Sequence, residues 1–371
     1  MNKNNSYLMF LTLVATLGGL LFGYDTAVIS GTVKYLDLNF VAPLGLSETA
    51  ASSLLGFAVS SALIGCVLGG MVGGIVASAL GRKRGLMIAA VLFIISAVGS
   101  AYPELGFPHG APHTFLTQFI IYRIIGGVGV GLASMLSPMY IAEMAPAESR
   151  GKWQNLVAAV GFSAVPVIGV MCRAIIPLAE EAWRFIFYFG GVGLIAFFVG
   201  LRYLKESPRW LVARGRLEEA EQVVFEITGK HVDLSEAAKN VQTKVPVMEV
   251  LTGMFRRQYI KRTLVLLAIV VFTNPATFTV TNWTATLLKA HGFSLEDSLM
   301  ATTIISVGVP AGLFFSSFVT DLGGRKIPIM CMLIILAVLG PIFGNMTGYW
   351  PVVLTGVVLT AVVMAMGFTV F

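Results

Sequence analysis

The stretch YRIIGGVGVGLASMLSPMYIAEMAPAESRGK, residues Tyr122–Lys152, decides the fold. Arg123 lies near its start and is followed by an apolar, glycine-rich run. Glu143 and Arg150 lie near its end, where a basic turn begins. About 20 apolar residues in a helix span the hydrocarbon of a bilayer. A charge inside that layer is costly and marks a functional position. The stretch therefore predicts a transmembrane helix whose arginine needs an anionic partner.

The composition extends this prediction to the whole chain. Of the 371 residues, 56% are hydrophobic and only 12% are charged, whereas soluble domains carry roughly 25% charged residues. The net charge of +6 comes from basic residues in loops, without a DNA-binding pattern, as expected from the positive-inside rule. The three cysteines, Cys66, Cys172 and Cys331, lack metal-ligand spacing and are interpreted as small core residues. We expect a polytopic, all-α membrane protein with no nucleic-acid partner, metal or cofactor.

Ten apolar runs predict ten helices: 7–31, 51–80, 86–101, 119–142, 156–177, 185–204, 263–288, 299–320, 327–346 and 350–371. The intervening stretch is rich in charge and contains the amphipathic run LEEAEQVVFEITGK, which predicts a linker with short helices at the membrane surface. The predicted domains are a six-helix bundle (1–204), the linker (205–262) and a four-helix bundle (263–371). With the N-terminus in the cytoplasm, most of the 25 basic residues fall in inside loops.

Asp25 lies within the first apolar run rather than at its end. An ionised carboxylate near the bilayer centre costs on the order of 2.5–3.5 kcal/mol, so Asp25 should face a wet cavity or a cation. It is the only acid well inside another span, which makes it the candidate partner of Arg123. The alternative is an interfacial aspartate close to the outer mouth.

Two patterns indicate how the helices are arranged. Gly65, Gly69, Gly73 and Ala77 recur every four residues in the second run, so they share one helix face against which another backbone can pack closely. The turn LGRKR at residues 80–84 recurs as DLGGRK at residues 321–326. A turn repeated in both halves indicates parallel repeats, with a substrate site near the bilayer midplane between them.

Three motifs resemble the sugar porter family of the major facilitator superfamily. They are GGLLFGYDTAVISG at residues 18–31, YRIIGGVGVGLASMLSPMYIAE with its following RGK, and KESPRWLVARGR at residues 205–216. The resemblance implies a monomeric, proton-coupled symporter of a pentose or hexose that works by alternating access in a bacterial inner membrane. It also implies a fold of twelve spans in two six-helix halves. On that basis this sequence holds 6 + 4 helices and lacks the last two.

The resemblance also assigns roles by position. Asp25 matches the proton-titrating aspartate and Arg123 its partner. Electrostatics supports a carboxylate that changes its protonation state here, because a guanidinium favours the ionised form and a dry pocket favours the protonated form. The charge network that holds the two halves together on the cytoplasmic side matches Arg82, Glu143, Arg150, Glu206, Arg209, Asp321, Arg325 and Lys326. Candidate substrate-binding residues are Phe22, Thr273, Asn274, Thr277, Thr279, Asn282 and Trp283.

The sugar site departs from the family pattern. Ala158 and Val165 stand where the fifth helix carries glutamines, and the seventh helix places threonines and an asparagine at its amide positions. Each buried sugar hydroxyl left unpaired costs roughly 1–3 kcal/mol. Two alternatives therefore stay open: the same fold carrying a non-sugar metabolite or organic acid, and a non-transporting sensor or inactive shortened form.

An enzyme is not expected. The four histidines fall in loops without ligand-like grouping, and no nucleophile and base pattern is present. The run GVGVG lacks the strand, turn and helix context of a dinucleotide fingerprint, and no phosphate-binding P-loop occurs. Direct driving by ATP is therefore disfavoured.

Overall fold

The computed structural model describes residues 16, 20, 23–25, 27–29, 31–105, 112–145, 150–179, 181–191, 199–200, 202–239, 252–268, 271, 288, 292–319 and 326–370. The chain divides into two compact units. One is formed by Met1–Trp210 with Gln222–Lys230, and the other by Leu211–Glu221 with His231–Phe371. The predicted domain boundaries after residues 204 and 262 stay predictions.

Helices make up the fold, and the described residues contain no strand. Residues 23–25, 27–29 and 31–36 are helical and lead into a π-helical turn, Asp37–Val41, and a 3-10 turn, Ala42–Leu44. The longer elements are α1 (Glu48–Leu80), α2 (Arg82–Ala101), α3 (Pro112–Met144), α4 (Arg150–Phe162), α5 (Ala164–Ile175), α6 (Ala182–Tyr188), α7 (Pro208–Ala213), α8 (Leu217–Thr228), α9 (Ser235–Lys239), α10 (Leu295–Ile305), α11 (Gly308–Val319), α12 (Lys326–Asn345) and α13 (Tyr349–Val370).

Seven stretches of the described chain are long and apolar enough to cross a membrane. They correspond to the predicted second, third, fourth, fifth, eighth, ninth and tenth runs. The predicted first and seventh runs lie largely outside the described residues, as do residues 192–198 and 201 of the sixth run. The fifth span, Arg150–Leu178, is broken at Ser163 into α4 and α5. Pro166 explains the break, because its ring has no N–H to donate and clashes with the preceding turn.

The predicted small-residue face of α1 is confirmed. Gly65, Gly69, Gly73 and Ala77 are all buried. A Cβ added at Gly65 would lie 2.1 Å from the carbonyl oxygen of Ile124, and one at Gly69 would lie 2.2 Å from that of Val128. The absence of side chains therefore lets α1 approach the backbone of α3 directly.

The second unit repeats this packing. A Cβ at Gly308 of α11 would lie 2.4 Å from the carbonyl oxygen of Val357, and one at Gly312 would lie 2.0 Å from that of Ala361, both in α13. The two glycines have the same spacing as Gly65 and Gly69 and precede the second basic turn by the same number of residues. Each unit thus contains the same close-packed helix pair.

The core of the first unit is aromatic at the end remote from the basic turn. Phe40 stacks on Phe119 with ring centroids 6.2 Å apart and meets Trp183 edge-on at 6.0 Å. Trp183 in turn meets Phe187 edge-on. These rings hold α6 against α3. Of the three cysteines, Cys331 is exposed on α12, so its predicted core position is wrong, since that helix packs few residues inward.

Candidate functional site

The predicted pairing of Asp25 with Arg123 is present. The Arg123 Nη1 donates to Asp25 Oδ1, and Nη2 donates to Oδ2 at 3.0 Å. The Arg123 side chain is 3% exposed and that of Asp25 is 14% exposed. Two parallel hydrogen bonds between a guanidinium and a carboxylate combine charge with fixed geometry. The Arg123 Nε is buried and has no hydrogen-bond partner among the described residues, so this guanidinium retains a free donor.

Three consecutive residues of the first helix contact three different neighbours. Asp25 faces α3 through Arg123. Gly23 faces the fifth span, where an added Cβ would lie 3.0 Å from the carbonyl oxygen of Gly161. Tyr24 points to α6. The three contacts together fix the rotation of this helix and therefore the direction of the Asp25 carboxylate.

Tyr24 was not identified from the sequence. Its hydroxyl donates to the carbonyl oxygen of Ile186 and lies 3.2 Å from that of Phe187, and its ring packs edge-on against Phe93. Ile186 lies in the last turn of α6, where carbonyls lack partners within the helix, whereas the Phe187 carbonyl also accepts from the backbone N–H of Phe189. A buried tyrosine in an apolar span needs a hydrogen-bond partner. That requirement could have identified Tyr24 from the sequence.

A second charge cluster lies at the basic turn between α1 and α2. Arg82 Nη2 donates to Glu143 Oε1 at 2.6 Å, and Arg82 Nη1 donates to the carbonyl oxygen of Ala77 at 3.1 Å. The two charged side chains are 13% and 8% exposed. This pair joins the start of α2 to the last turn of α3.

Glu206 completes the cluster from the linker. One of its carboxylate oxygens accepts from the backbone N–H of Arg82 at 2.8 Å, and both oxygens lie 3.3 Å from that of Lys83. These N–H groups open α2, so they have no partner within the helix, and a carboxylate is favoured at this positive end. Gly81 makes the approach possible. Its φ is +89°, and a Cβ there would lie 2.2 Å from Glu206 Oε2.

The segment that carries Glu206 is docked onto the first unit at two further points. The Tyr140 hydroxyl donates to the carbonyl oxygen of Lys205 at 2.9 Å. The indole Nε1 of Trp210 donates to the carbonyl oxygen of Ser78 at 3.0 Å. The start of the linker is therefore bound to the ends of α1 and α3.

The structure brings together only part of the predicted charge network. Arg82, Glu143 and Glu206 meet, whereas Arg150 and Arg209 are exposed and pair with no carboxylate among the described residues. Lys326 is exposed at the start of α12. Asp321 and Arg325 lie outside the described residues. So do all seven predicted substrate-binding residues: Phe22, Thr273, Asn274, Thr277, Thr279, Asn282 and Trp283.

A third cluster surrounds Arg184, at the opposite end of α2 from the basic turn. Arg184 Nη2 donates to Glu104 at 2.8 Å, Nη1 donates to the carbonyl oxygen of Ala101 at 2.6 Å, and Nε lies 2.5 Å from Glu181. The guanidinium also lies 4.8 Å from the ring centroid of Tyr102. Partial burial would raise the pKa of Glu104, but the hydrogen bonds and charge of Arg184 outweigh it and hold that pKa below its ordinary value. Arg184 was not identified from the sequence.

Comparisons with known proteins agree with this architecture. The family model described as "Sugar (and other) transporter" matches residues 11–371. The chain is 52% identical over 240 residues to the D-xylose-proton symporter of Escherichia coli (strain K12), and that match covers 61% of this chain and 49% of the relative. It is 31% identical over 335 residues to the arabinose-proton symporter of Bacillus subtilis (strain 168), covering 86% of this chain and 67% of the relative. The first of these matches thus spans about half the length of the relative.

Solved structures show the same fold. The structure of the major facilitator superfamily proton:xylose symporter XylE bound to 6-bromo-6-deoxy-D-glucose matches with a TM-score of 0.75 at 36% identity, over 99% of this chain and 81% of that one. A partially occluded inward-open conformation of the xylose transporter XylE from E. coli also gives 0.75, at 37% identity, over 98% and 85%. Because the family model covers nearly the whole sequence and the helical architecture agrees with it, this chain belongs to the sugar transporter family of the major facilitator superfamily.

Proposed function

We propose that this chain carries a small sugar, a pentose or a hexose, together with protons across a membrane by alternating access. The observation that carries the proposal is the two-point ion pair of Asp25 and Arg123, buried between the first helix and α3. Relatives named as xylose-proton and arabinose-proton symporters support both the solute class and the coupling ion. Asp25 is the proposed proton carrier and Arg123 its electrostatic partner.

The pair links protonation to helix packing. Protonation of Asp25 removes the charge that balances Arg123 and turns one accepting oxygen into a donor. Breaking a buried ion pair by loss of one partner costs about 3–5 kcal/mol, so the neutralised pair favours a movement that gives Arg123 water or another acceptor. Arg123 Nε already lacks a partner among the described residues. Proton binding and movement of the first helix against α3 are thereby coupled.

The substrate-binding residues are proposed from the family resemblance alone. They are Phe22 on the predicted first helix and Thr273, Asn274, Thr277, Thr279, Asn282 and Trp283 on the predicted seventh helix. On the fifth span, Ala158 and Val165 are half-buried and offer no polar atom beyond the backbone. Recognition of the sugar is therefore proposed to depend on the threonines, asparagines and aromatic rings of the other helices.

The proposed gate lies at the basic turn. Arg82, Glu143 and Glu206 form its observed part, and we propose that Arg150, Arg209, Asp321, Arg325 and Lys326 join it when the two halves close on that side. The free acceptor Glu143 Oε2 and the free donor Arg82 Nε are both buried without a partner among the described residues, so the cluster has unused hydrogen-bonding capacity. The proposed orientation places the N-terminus and this gate in the cytoplasm, and the proposed functional form is a monomer.

Sugar-induced proton uptake tests the proposal. Cells that produce the chain are suspended in weakly buffered medium without an energy source, and the external pH is recorded when xylose, arabinose or glucose is added. Symport predicts an immediate rise in pH that a protonophore abolishes. Sugar entry without a pH change would contradict coupling. No entry of any of the three sugars by folded protein would favour a non-sugar solute or a non-transporting role.

A further inference from the structure

The linker ends in an ordered bend, residues 252–263, that we call the elbow. Its backbone is closed by hydrogen bonds from Tyr259 N and Ile260 N to the carbonyl oxygen of Arg256, at 2.9 and 3.0 Å. The Thr263 hydroxyl, in a buried residue, donates to the carbonyl oxygen of Met254 at 2.8 Å. This bond folds the two ends of the elbow against each other. The elbow therefore has a defined shape rather than being an open tether.

The elbow gathers four cations without an acid. Arg256, Arg257, Lys261 and Arg262 are all exposed, and the sequence from 252 to 263 contains no carboxylate. None of the four pairs with a carboxylate among the described residues. The linker before them is different, because there Arg216 pairs with Glu219 at 2.6 Å. The elbow thus presents positive charge that no carboxylate of the described residues compensates, and such a cluster would bind anions.

Its position relative to the apolar chain places these cations at the membrane surface. Residues 260–268 are helical, and the exposed apolar residues Leu264–Leu267 begin directly after Arg262. One helical turn rises about 5.4 Å, which is comparable with the thickness of the headgroup layer on each side of the hydrocarbon. Lys261 and Arg262 therefore lie at headgroup depth when the following helix enters the bilayer. The Thr263 to Met254 bond holds the remainder of the elbow beside that first turn.

Apolar side chains are interleaved with the charges. Met254, Phe255 and Tyr259 are exposed on the elbow. Aromatic rings are favoured at the interface between lipid and water, and an apolar face beside a basic face is typical of segments that lie on anionic membranes. Both properties point to a lipid surface rather than to a soluble anion.

We propose that the elbow is a binding site for the headgroups of anionic phospholipids in the leaflet on that side. The guanidinium groups of Arg256, Arg257 and Arg262 would bind phosphodiester oxygens, for which their fork of N–H donors is suited, and Lys261 would add a further charge. Clusters of this size next to a transmembrane helix bind acidic lipids. This proposal concerns the anchoring of the linker and does not depend on which solute is transported.

The test is lipid binding to the purified full chain. Native mass spectrometry of detergent-solubilised protein, titrated separately with phosphatidylglycerol and phosphatidylcholine, gives the ratio of the two association constants. The test variant is R256Q/R257Q/K261Q/R262Q. The matched control is R214Q/R216Q/K230Q/K239Q, which removes the same charge from exposed linker positions. Thermal unfolding of each protein establishes that it is folded.

The wild type and the control should prefer phosphatidylglycerol, and the test variant should lose that preference by at least about fivefold, the factor expected from one basic residue's attraction to an anionic surface. The proposal is overturned if the test variant keeps the preference, or if the control loses as much. Competition by millimolar inorganic phosphate would identify a soluble-anion site and contradict the lipid assignment. If the quadruple variant does not fold, R256Q/R257Q and K261Q/R262Q should each lose part of the preference, and its retention in both would overturn the proposal.

Discussion

Replacing Gly69 by alanine should destabilise the first unit by an amount that the structure defines. The new Cβ would lie 2.2 Å from the carbonyl oxygen of Val128, whereas carbon and oxygen atoms ordinarily meet at about 3.3 Å. The helices must then separate by roughly 1 Å, and a gap of that size forfeits a quarter to a half of the dispersion energy of each contact. Overpacking of a close-packed interior costs typically 1–3 kcal/mol. Because alanine also favours the helix by up to about 1 kcal/mol, we expect a net loss of up to about 2 kcal/mol, and a loss of about 1–3 kcal/mol relative to an alanine that gains the same propensity without the contact.

The adjacent Gly70 provides the control, since a Cβ there would meet nothing within 4 Å. Thermal unfolding of the detergent-solubilised protein is followed by circular dichroism. The melting temperature should fall below that of the wild type in Gly69→Ala and should not fall in Gly70→Ala. The repeat predicts the same contrast in the second unit between Gly312→Ala and Gly340→Ala, because Gly340 is also open. Equal melting temperatures for Gly69→Ala and Gly70→Ala would refute the argument that backbone contact requires glycine on this face.

Three further outcomes follow from single contacts. Glu206→Gln removes the charge at the start of α2 and should lower stability by about 0.3–1 kcal/mol at low salt, as measured by thermal unfolding. Tyr24→Phe leaves a buried carbonyl unpaired, so it should lower the free energy of unfolding by about 1–3 kcal/mol and displace the pH profile of uptake. The control is Tyr35→Phe on the same helix. The Tyr35 hydroxyl has no hydrogen bond among the described residues, so this change should alter neither quantity. The lowered pKa of Glu104 means that its pairing with Arg184 stabilises the fold above the ordinary carboxyl pKa and is lost as the pH falls through the lowered one. The melting temperatures of wild type and Glu104→Gln should therefore converge in acid, and a constant difference down to about pH 3 would contradict this assignment.

The sequence predicted the parts of the fold that follow from simple periodicity. Apolar runs gave the seven described spans because membrane thickness sets helix length. The four-residue spacing of Gly65, Gly69 and Gly73 identified the face that meets α3, since small residues have few other uses there. The partner of Arg123 was also predictable, because a buried guanidinium requires an anion and Asp25 was the single acid well inside another span.

Contacts between distant side chains and backbone groups were not predictable in the same way. The hydrogen bond of Tyr24 to the end of α6 depends on where that helix loses its regular pattern, which its apolar sequence does not mark. Glu206 was assigned to a charge network, but its observed partners are the backbone N–H groups of Arg82, Lys83 and Ser207. Such partners carry no signature in the sequence, because every residue has them. Arg184 was not predicted, because its acidic partners lie in loops. Charged residues are ordinary there and do not indicate an ion pair, whereas an acid inside a span does.

Asp25→Asn in proteoliposomes, with Asp37→Asn as the matched control, decides whether Asp25 carries the coupling proton. Two modes of transport are compared. Asp25→Asn should retain exchange of labelled for unlabelled xylose across the vesicle membrane, because exchange needs no net proton movement. This variant should no longer accumulate xylose when an inward proton gradient is imposed, whereas Asp37→Asn should do both. Gradient-driven accumulation by Asp25→Asn at the wild-type level would show that Asp25 does not carry the coupling proton.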